Sequence, residues 1–204
     1  MPQRHLTTFY TRSFATFLSH TDEKTLLLRE LRRYLRALKP CSLLDIGAGS
    51  GDLSIPLSRT IPDYFVIERN PEHVAALYKS HLQVIAGSFP ECVKRVPSFL
   101  FDVVLSSHSA PWHEDEYVPF LETAASLVRK GGRLIVITYD NATSAWGHLR
   151  DACGDPVSES SRMRLATLKS RLENVGTVAC STVERHVRTS SLREMMEALA
   201  FVYS

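Results

Sequence analysis

The run Leu43-Leu44-Asp45-Ile46-Gly47-Ala48-Gly49-Ser50-Gly51-Asp52-Leu53 constrains this chain more than any other stretch. Three glycines alternate through five residues, after a segment apolar enough for a buried strand and before one suited to a helix, so the chain must turn sharply between the two. Glycine permits that turn, and it lets a ligand approach the main chain without striking a Cβ. The spacing is G-x-G-x-G, one residue shorter than the dinucleotide pattern G-x-G-x-x-G, and an acidic residue, Asp45, precedes it. A pyrophosphate gains little from that carboxylate, whereas a ligand bearing an ammonium group and a sulfonium is attracted to it.

The surrounding sequence supplies the fold in which such a loop works. From Cys41 to Asp140, short apolar runs alternate with segments of helical period, the pattern of a parallel sheet with crossover helices. Strands are expected at 42–47, 64–69, 82–87, 101–107 and 133–139, each apolar enough to be covered on both faces. Helices are expected at Gly51–Arg59, Pro71–His81 and Glu114–Arg129, with Pro71 in a first turn and Gly131-Gly132 as a stop. The class is therefore α/β, Rossmann-like and doubly wound, in a mostly parallel sheet. Before it, Leu6 to Leu38 reads as two helices broken near Ser19-His20-Thr21, a helical cap with Leu27, Leu28, Leu31 and Leu35 as the apolar stripe of the second. After it, 159–175 and Ser191–Leu199 read as helices, with Arg162, Arg164, Lys169 and Arg171 on a solvated face.

Length and charge narrow the rest. At 204 residues, a single domain is expected, divided into a cap (1–39), an α/β core (40–140) and a C-terminal region (141–204). The balance of 24 basic against 22 acidic side chains lacks the one-sided field of a nucleic-acid binder. No apolar run reaches the length of a membrane span, and Met1 to Tyr10 does not read as a secretory signal, so a cytoplasmic setting is expected. Cys41, Cys92, Cys153 and Cys180 are too dispersed for a metal or redox motif and are expected to pack as free thiols. No cluster with metal-ligand spacing is found.

Glu68 lies at the end of the second strand, 21 residues beyond Gly47, where a carboxylate can accept from the hydroxyls of a ribose. Asp45 to Leu53 together with Glu68 resembles the first glycine-rich motif and the second acidic motif of class I S-adenosylmethionine-dependent methyltransferases. The resemblance covers about 100 residues, Cys41 to Asp140. It implies a methyltransferase with S-adenosylmethionine as cofactor. Gly47, Gly49 and Gly51 would flank the methionine part, Asp45 would stand before them and Glu68 would hold the ribose. Ser88 and Phe89 would lie around the adenine, and Ser106, Ser107 and His108 beside the methyl donor. An imidazole exchanges protons readily near neutral pH, so His108 is the candidate catalytic residue that accepts or relays the acceptor's proton.

A narrower resemblance lies outside the common fold. Tyr10-x-x-Ser13-Phe14-x-x-Phe17-Leu18-x-His20-x-x-Glu23 is similar to the N-terminal helix of histamine N-methyltransferases, and Ser144-Ala145-Trp146-Gly147-His148-Leu149 echoes a segment after their fifth strand. That similarity implies a substrate pocket in which Glu23 recognises the acceptor and Tyr10, Phe14, Trp112 and Trp146 form the walls. His108 replaces a glutamine of that family, and the stretch from Val157 to Arg188 is longer here. The expected reaction is methyl transfer to a nitrogen, with oxygen second, of a small molecule such as an amine or imidazole.

Two other classes compete. Nucleic-acid methyltransferases that act on exocyclic amines carry Asn-Pro-Pro-Tyr or a variant after strand four, where this chain has Ser107-His108-Ser109-Ala110-Pro111-Trp112. A non-catalytic accessory protein would keep the cofactor loop without turnover. Class I sheets normally close with strands six and seven. Ala200 to Ser204 could begin the sixth and nothing remains for the seventh, so a fragment or a shortened sheet is expected, its exposed edge open to a homodimer.

Overall fold

A computed structural model describes residues 16–111, 114–140, 143–152 and 159–199. The chain separates into two compact units, Lys39–Cys180 and a smaller one formed by Met1–Leu38 with Ser181–Ser204. The N-terminal cap therefore groups with the last part of the chain, while residues 141–180 join the α/β core. The expected sixth strand at 200–204 lies outside the described residues.

In the smaller unit, residues 16–20 are helical and α1 (Glu23–Leu38) follows, with Leu27, Leu31 and Leu35 of the expected stripe buried and Leu28 only partly so. The break between them is a site of pairing. Thr21 forms an antiparallel bridge with Val187, the Asp22 amide donates to the His186 carbonyl at 3.3 Å, and the Arg188 amide donates to the His20 carbonyl at 2.9 Å. Residues 185–188 thus form a short strap across the start of α1, a feature without any pattern in the sequence.

In the larger unit, β1 (Ser42–Ile46), β2 (Asp63–Glu68), β3 (Gln83–Ala86), β4 (Phe101–Ser107) and β5 (Val128–Ile137) form one parallel sheet in the order β3-β2-β1-β4-β5. Winding reverses between β1 and β4, where Ile46 lies level with Ser106. Open α/β sheets bind ligands beyond the carboxyl ends of the strands at such a point. Alternation sends Leu44 and Ile46 to one face of the sheet, where they join Val104 and, from α4 (Glu114–Ser126), Phe120, Leu121 and Ala124 in the main core. Leu168 of α6 (Glu159–Glu173) seals it. The larger unit also holds α2 (Ser54–Ser58), α3 (Pro71–Lys79) and α5 (Ala145–Ala152), while α7 (Leu192–Leu199) belongs to the smaller unit. Asn70 caps α3 by accepting from the Glu72 amide at 2.9 Å, with Pro71 in the first turn.

Three expectations need correction. Helix α4 ends at Ser126 rather than Arg129, and Gly131-Gly132 lies within β5 instead of stopping a helix. Phe101 pairs with Val128 but Val103 pairs with Arg133, so two steps on β4 face five on β5 and the excess forms a bulge. Gly132 is required there, since an added Cβ would lie 2.8 Å from the Asp102 carbonyl oxygen. Helix α2 begins at Ser54 rather than Gly51, because all three glycines are consumed by the turn. The thiols do not all pack: Cys92 is buried, whereas Cys41 and Cys180 are exposed.

Candidate active site

Each glycine of the loop has a positive φ, of 76° at Gly47, 58° at Gly49 and 88° at Gly51, the left-handed region that side chains resist. What surrounds them differs. A Cβ on Gly47 would stand 2.3 Å from the Ser109 Cβ, so the loop after β4 presses directly on this residue. A Cβ on Gly51 would meet Ile55 and Leu77 at 2.9 Å, where the loop packs on α2 and α3. Over Gly49 nothing lies within 4 Å. The first glycine joins loop to strand, the third joins loop to helices, and the middle one leaves its backbone open to a ligand.

Glu68 fixes that middle glycine. Its Oε2 accepts from the Gly49 amide at 2.7 Å, and Oε1 accepts from Arg69 at 2.8 Å and Asn70 at 2.7 Å. A carboxylate offers about four lone-pair sites, so three amide bonds leave capacity for a hydroxyl on Oε2, beside the open space. Glu68 is thus both a clasp for the loop and an acceptor facing the site. The Asp45 carboxylate lies lower and is 2% exposed; its Oδ2 accepts from the Ser54 hydroxyl at 2.6 Å and from the Tyr64 hydroxyl at 3.2 Å. It braces the first turn of α2 against β2 while contributing negative charge beneath the loop. Burial, then the neighbouring Asp45 charge, pushes the Tyr64 hydroxyl well above its ordinary pKa, so it remains a donor.

The end of β4 completes the cluster. Ser106 is fully buried and its hydroxyl shares a 2.8 Å hydrogen bond with that of Ser109, which in turn donates to the Ile46 carbonyl. This chain of hydroxyls ties β4 to β1 below Gly47. The Ser107 hydroxyl is also buried but finds no hydrogen-bond partner among the described residues. A buried hydroxyl left unsatisfied costs about 1–3 kcal/mol, so it marks a place where a ligand group completes the structure. His108 follows with φ of 54°, its amide donating to the Ile137 carbonyl at 2.9 Å and its ring stacked on Tyr139. At the end of β3, Ser88 is exposed, and Phe89 is half-buried, set edge-on to Phe120 at 5.0 Å.

The expected cofactor residues therefore converge on the switch point from β1, β2 and β4, with Ser88 and Phe89 after β3. Ser109 and Tyr139 were not foreseen, since isolated residues after a strand carry no periodicity. Of the expected substrate residues, Tyr10, Phe14 and Trp112 lie outside the described residues, and Trp146 falls in α5. Glu23 belongs to the smaller unit, 3% exposed, with Arg185 Nε at 3.2 Å and Lys24 Nζ at 3.9 Å. The Arg185 guanidinium also lies 4.9 Å from the centroid of the Phe17 ring. Two surface grooves, of 380 and 160 Å³, are lined from α4, α6 and the turn after α6 and share no residue with the loop. Among the described residues, no group of three His, Cys, Asp or Glu could hold a metal ion, and no helix is long and apolar enough to cross a membrane.

An open left-handed glycine, a carboxylate at the end of β2 and an unsatisfied hydroxyl at the end of β4 fit a ligand bearing an amino acid and a ribose. Residues 17–201 match the methyltransferase domain family, and the chain belongs to it. It is a methyltransferase, with S-adenosylmethionine as its cofactor. No curated protein matches the chain. Among solved structures, it is similar to a Staphylococcus aureus protein provisionally assigned as a caffeoyl-CoA O-methyltransferase, at 19% identity and a TM-score of 0.53 over 74% of this chain and 72% of that one. It is also similar to DesVI of Streptomyces venezuelae, at 18% identity and a TM-score of 0.50 over 61% of this chain and 54% of that one. At those identities the likeness is one of fold.

Proposed function

We propose that the chain methylates a nitrogen of a small molecule, an amine or imidazole, with an oxygen as the second candidate acceptor. The observation that carries this reading is the buried, unsatisfied Ser107 hydroxyl beside His108, at the same sheet end as the open face of Gly49. S-adenosylmethionine, when bound, supplies a methyl group made electrophilic by its sulfonium. The residues that would hold it are Gly47, Gly49 and Gly51 with Asp45 beneath, Glu68 at the ribose, Ser88 and Phe89 toward the adenine, and Ser106 and Ser107 beside the methyl group. The chain must then align the acceptor, exclude water and leave its lone pair free, and alignment alone removes several kcal/mol of barrier. His108 takes up the proton that the acceptor sheds.

Acceptor recognition falls in this reading to Glu23, with Tyr10, Phe14, Trp112 and Trp146, the placement in which the chain resembles histamine N-methyltransferases. Glu23, Phe17 and Arg185 support it, because a carboxylate and a π-face already hold a cation there. A radiolabelled-methyl screen over amines, imidazoles and phenols tests the acceptor class. Turnover confined to phenols overturns nitrogen as the target, and a salt-sensitive shift of nucleic acid at micromolar protein turns the reading toward a polynucleotide. With an acceptor in hand, Glu23→Gln should raise its dissociation constant tenfold or more, roughly 1.4 kcal/mol, without changing affinity for the cofactor. Lower thermal stability with unaltered acceptor binding would reduce Glu23 to a structural ion pair.

The same reading places the enzyme in the cytoplasm and pairs two copies along β5, one of the two edge strands of the described sheet. Sedimentation across a range of concentrations should show a monomer–dimer equilibrium, and a monomer throughout removes the dimer.

A further inference from the structure

We infer that Tyr139 is a positioning residue for His108, an assignment that rests on the reading of His108 as the proton acceptor. Three residues other than glycine have positive φ among those described: Lys39, His81 and His108. Lys39 directly follows α1 and His81 stands two residues past α3, positions where left-handed residues commonly terminate helices. His108 instead follows a strand, where no helix end demands the conformation. Strained backbone of this kind persists when its surroundings hold it, and it gathers at functional sites.

The surroundings that hold His108 come from the end of the neighbouring strand. Its amide donates to the Ile137 carbonyl at 2.9 Å, so β5 fixes the main chain. Two residues further on, the Tyr139 ring lies against the imidazole, with centroids 4.1 Å apart and planes inclined by 18°. One strand end therefore sets both the backbone and the ring of His108. An imidazole exchanges protons only in its own plane, through the two nitrogens, so the tilt of that plane selects the line along which an acceptor's proton can be received. Histidines are often oriented by a hydrogen bond that occupies one nitrogen. A flat stack orients the plane through the ring face.

The test uses the full chain with labelled histidine, His108→Gln to assign its resonance, and S-adenosylhomocysteine as the probe. In the native protein, the His108 Cε1–H resonance is expected upfield, under the ring current of Tyr139, and should move when the probe is added. Tyr139→Phe keeps a six-membered ring and should preserve both properties. Tyr139→Leu should abolish the upfield position while leaving the probe's dissociation constant within about threefold. An unchanged His108 resonance in Tyr139→Leu overturns the positioning role. So does a loss of probe affinity beyond about tenfold, which would make Tyr139 part of the cofactor site. Tyr139→Gln is the second non-aromatic variant, and failure of both to fold would make the residue structural. A native His108 resonance that ignores the probe sinks the reading of His108 as a site residue, and leaves the stack itself measurable.

Discussion

The two ends of the sheet solve opposite problems with similar side chains. At the amino end, the Asp102 carboxylate accepts from the Cys41 amide at 2.6 Å and the Ser42 amide at 3.0 Å and pairs with Arg129; its own amide donates to the Ser42 hydroxyl at 3.0 Å. The polar groups of this knot answer one another and draw β1, β4 and β5 together. At the carboxyl end, Glu68 likewise accepts main-chain amides, but the same cluster holds an open glycine face, a strained His108 and a hydroxyl without a partner among the described residues. Satisfied polar groups mark where the fold is made, and unsatisfied ones mark where a ligand is awaited.

The largest effect should come from the one place where the carboxyl end is also structural. Gly47→Ala must place a Cβ 2.3 Å from that of Ser109 at a left-handed φ, which combines overpacking with backbone strain for roughly 2–5 kcal/mol of stability. Urea unfolding measures it, and Ser109→Gly in the same chain should restore part of the loss. Gly49→Ala meets no neighbour, so it should cost about 1–2 kcal/mol of stability from strain alone, while calorimetry registers a much weaker hold on S-adenosylhomocysteine. Equal stability losses for the two alanines would break the distinction between a glycine that packs and one that faces a ligand.

Removing each carboxylate sharpens the contrast. Asp102→Ala releases two amides and a guanidinium and should lower stability by about 2 kcal/mol, with S-adenosylhomocysteine affinity unaltered. Glu68→Gln keeps an acceptor but loses charge, and should weaken that ligand by about 1–3 kcal/mol. Because Glu68 also clasps Gly49, Arg69 and Asn70, Glu68→Ala should unsettle the loop as well as the ligand. A Glu68→Gln protein that binds as the native one does would remove Glu68 from the site.

The same division explains what could be read before the fold was known. The strand positions and glycine loop follow from signals that are local: β-branched runs, helical periods, and glycine at positions where φ must be positive. Asp45 and Glu68 were legible because their places relative to the loop are fixed by a strand and a crossover. The role of Ser109 was not, since it depends on β1 and β4 meeting in space 62 residues apart, between Gly47 and Ser109. The extension of β5 through Gly131-Gly132 was hidden because a glycine pair that stops a helix and one that forms a bulge look alike in sequence. The strap at 185–188 was hidden for a related reason. Its bonds are made by main chain and by charged side chains with no apolar period to betray them.

The smallest effects are those of pH, and their signs differ between regions. Burial opposes ionisation of Asp102, but the Ser42 and Cys41 amides and the Arg129 guanidinium hold its pKa below the ordinary 3.8. A depressed folded pKa contributes stability above 3.8 that is lost as pH falls through the folded value. In the smaller unit, the Ser190 amide, then His20, brings Glu194 down from 4.5 to about 2, which gives an acid loss of the same sign. His20 is raised above 6.5 by the Thr16 carbonyl and then by Glu194, so its contribution is complete below 6.5 and is lost as pH rises through the raised value. Hydrogen exchange, corrected for the intrinsic rate, reads both. The Arg188 amide, bonded to the His20 carbonyl, should lose protection as pH climbs past neutrality. The Ser42 amide, bonded to Asp102, should keep its protection there and lose it only in acid. Were Ser42 to loosen together with Arg188 near neutral pH, the amino end of the sheet would not be the independent knot that its hydrogen bonds describe.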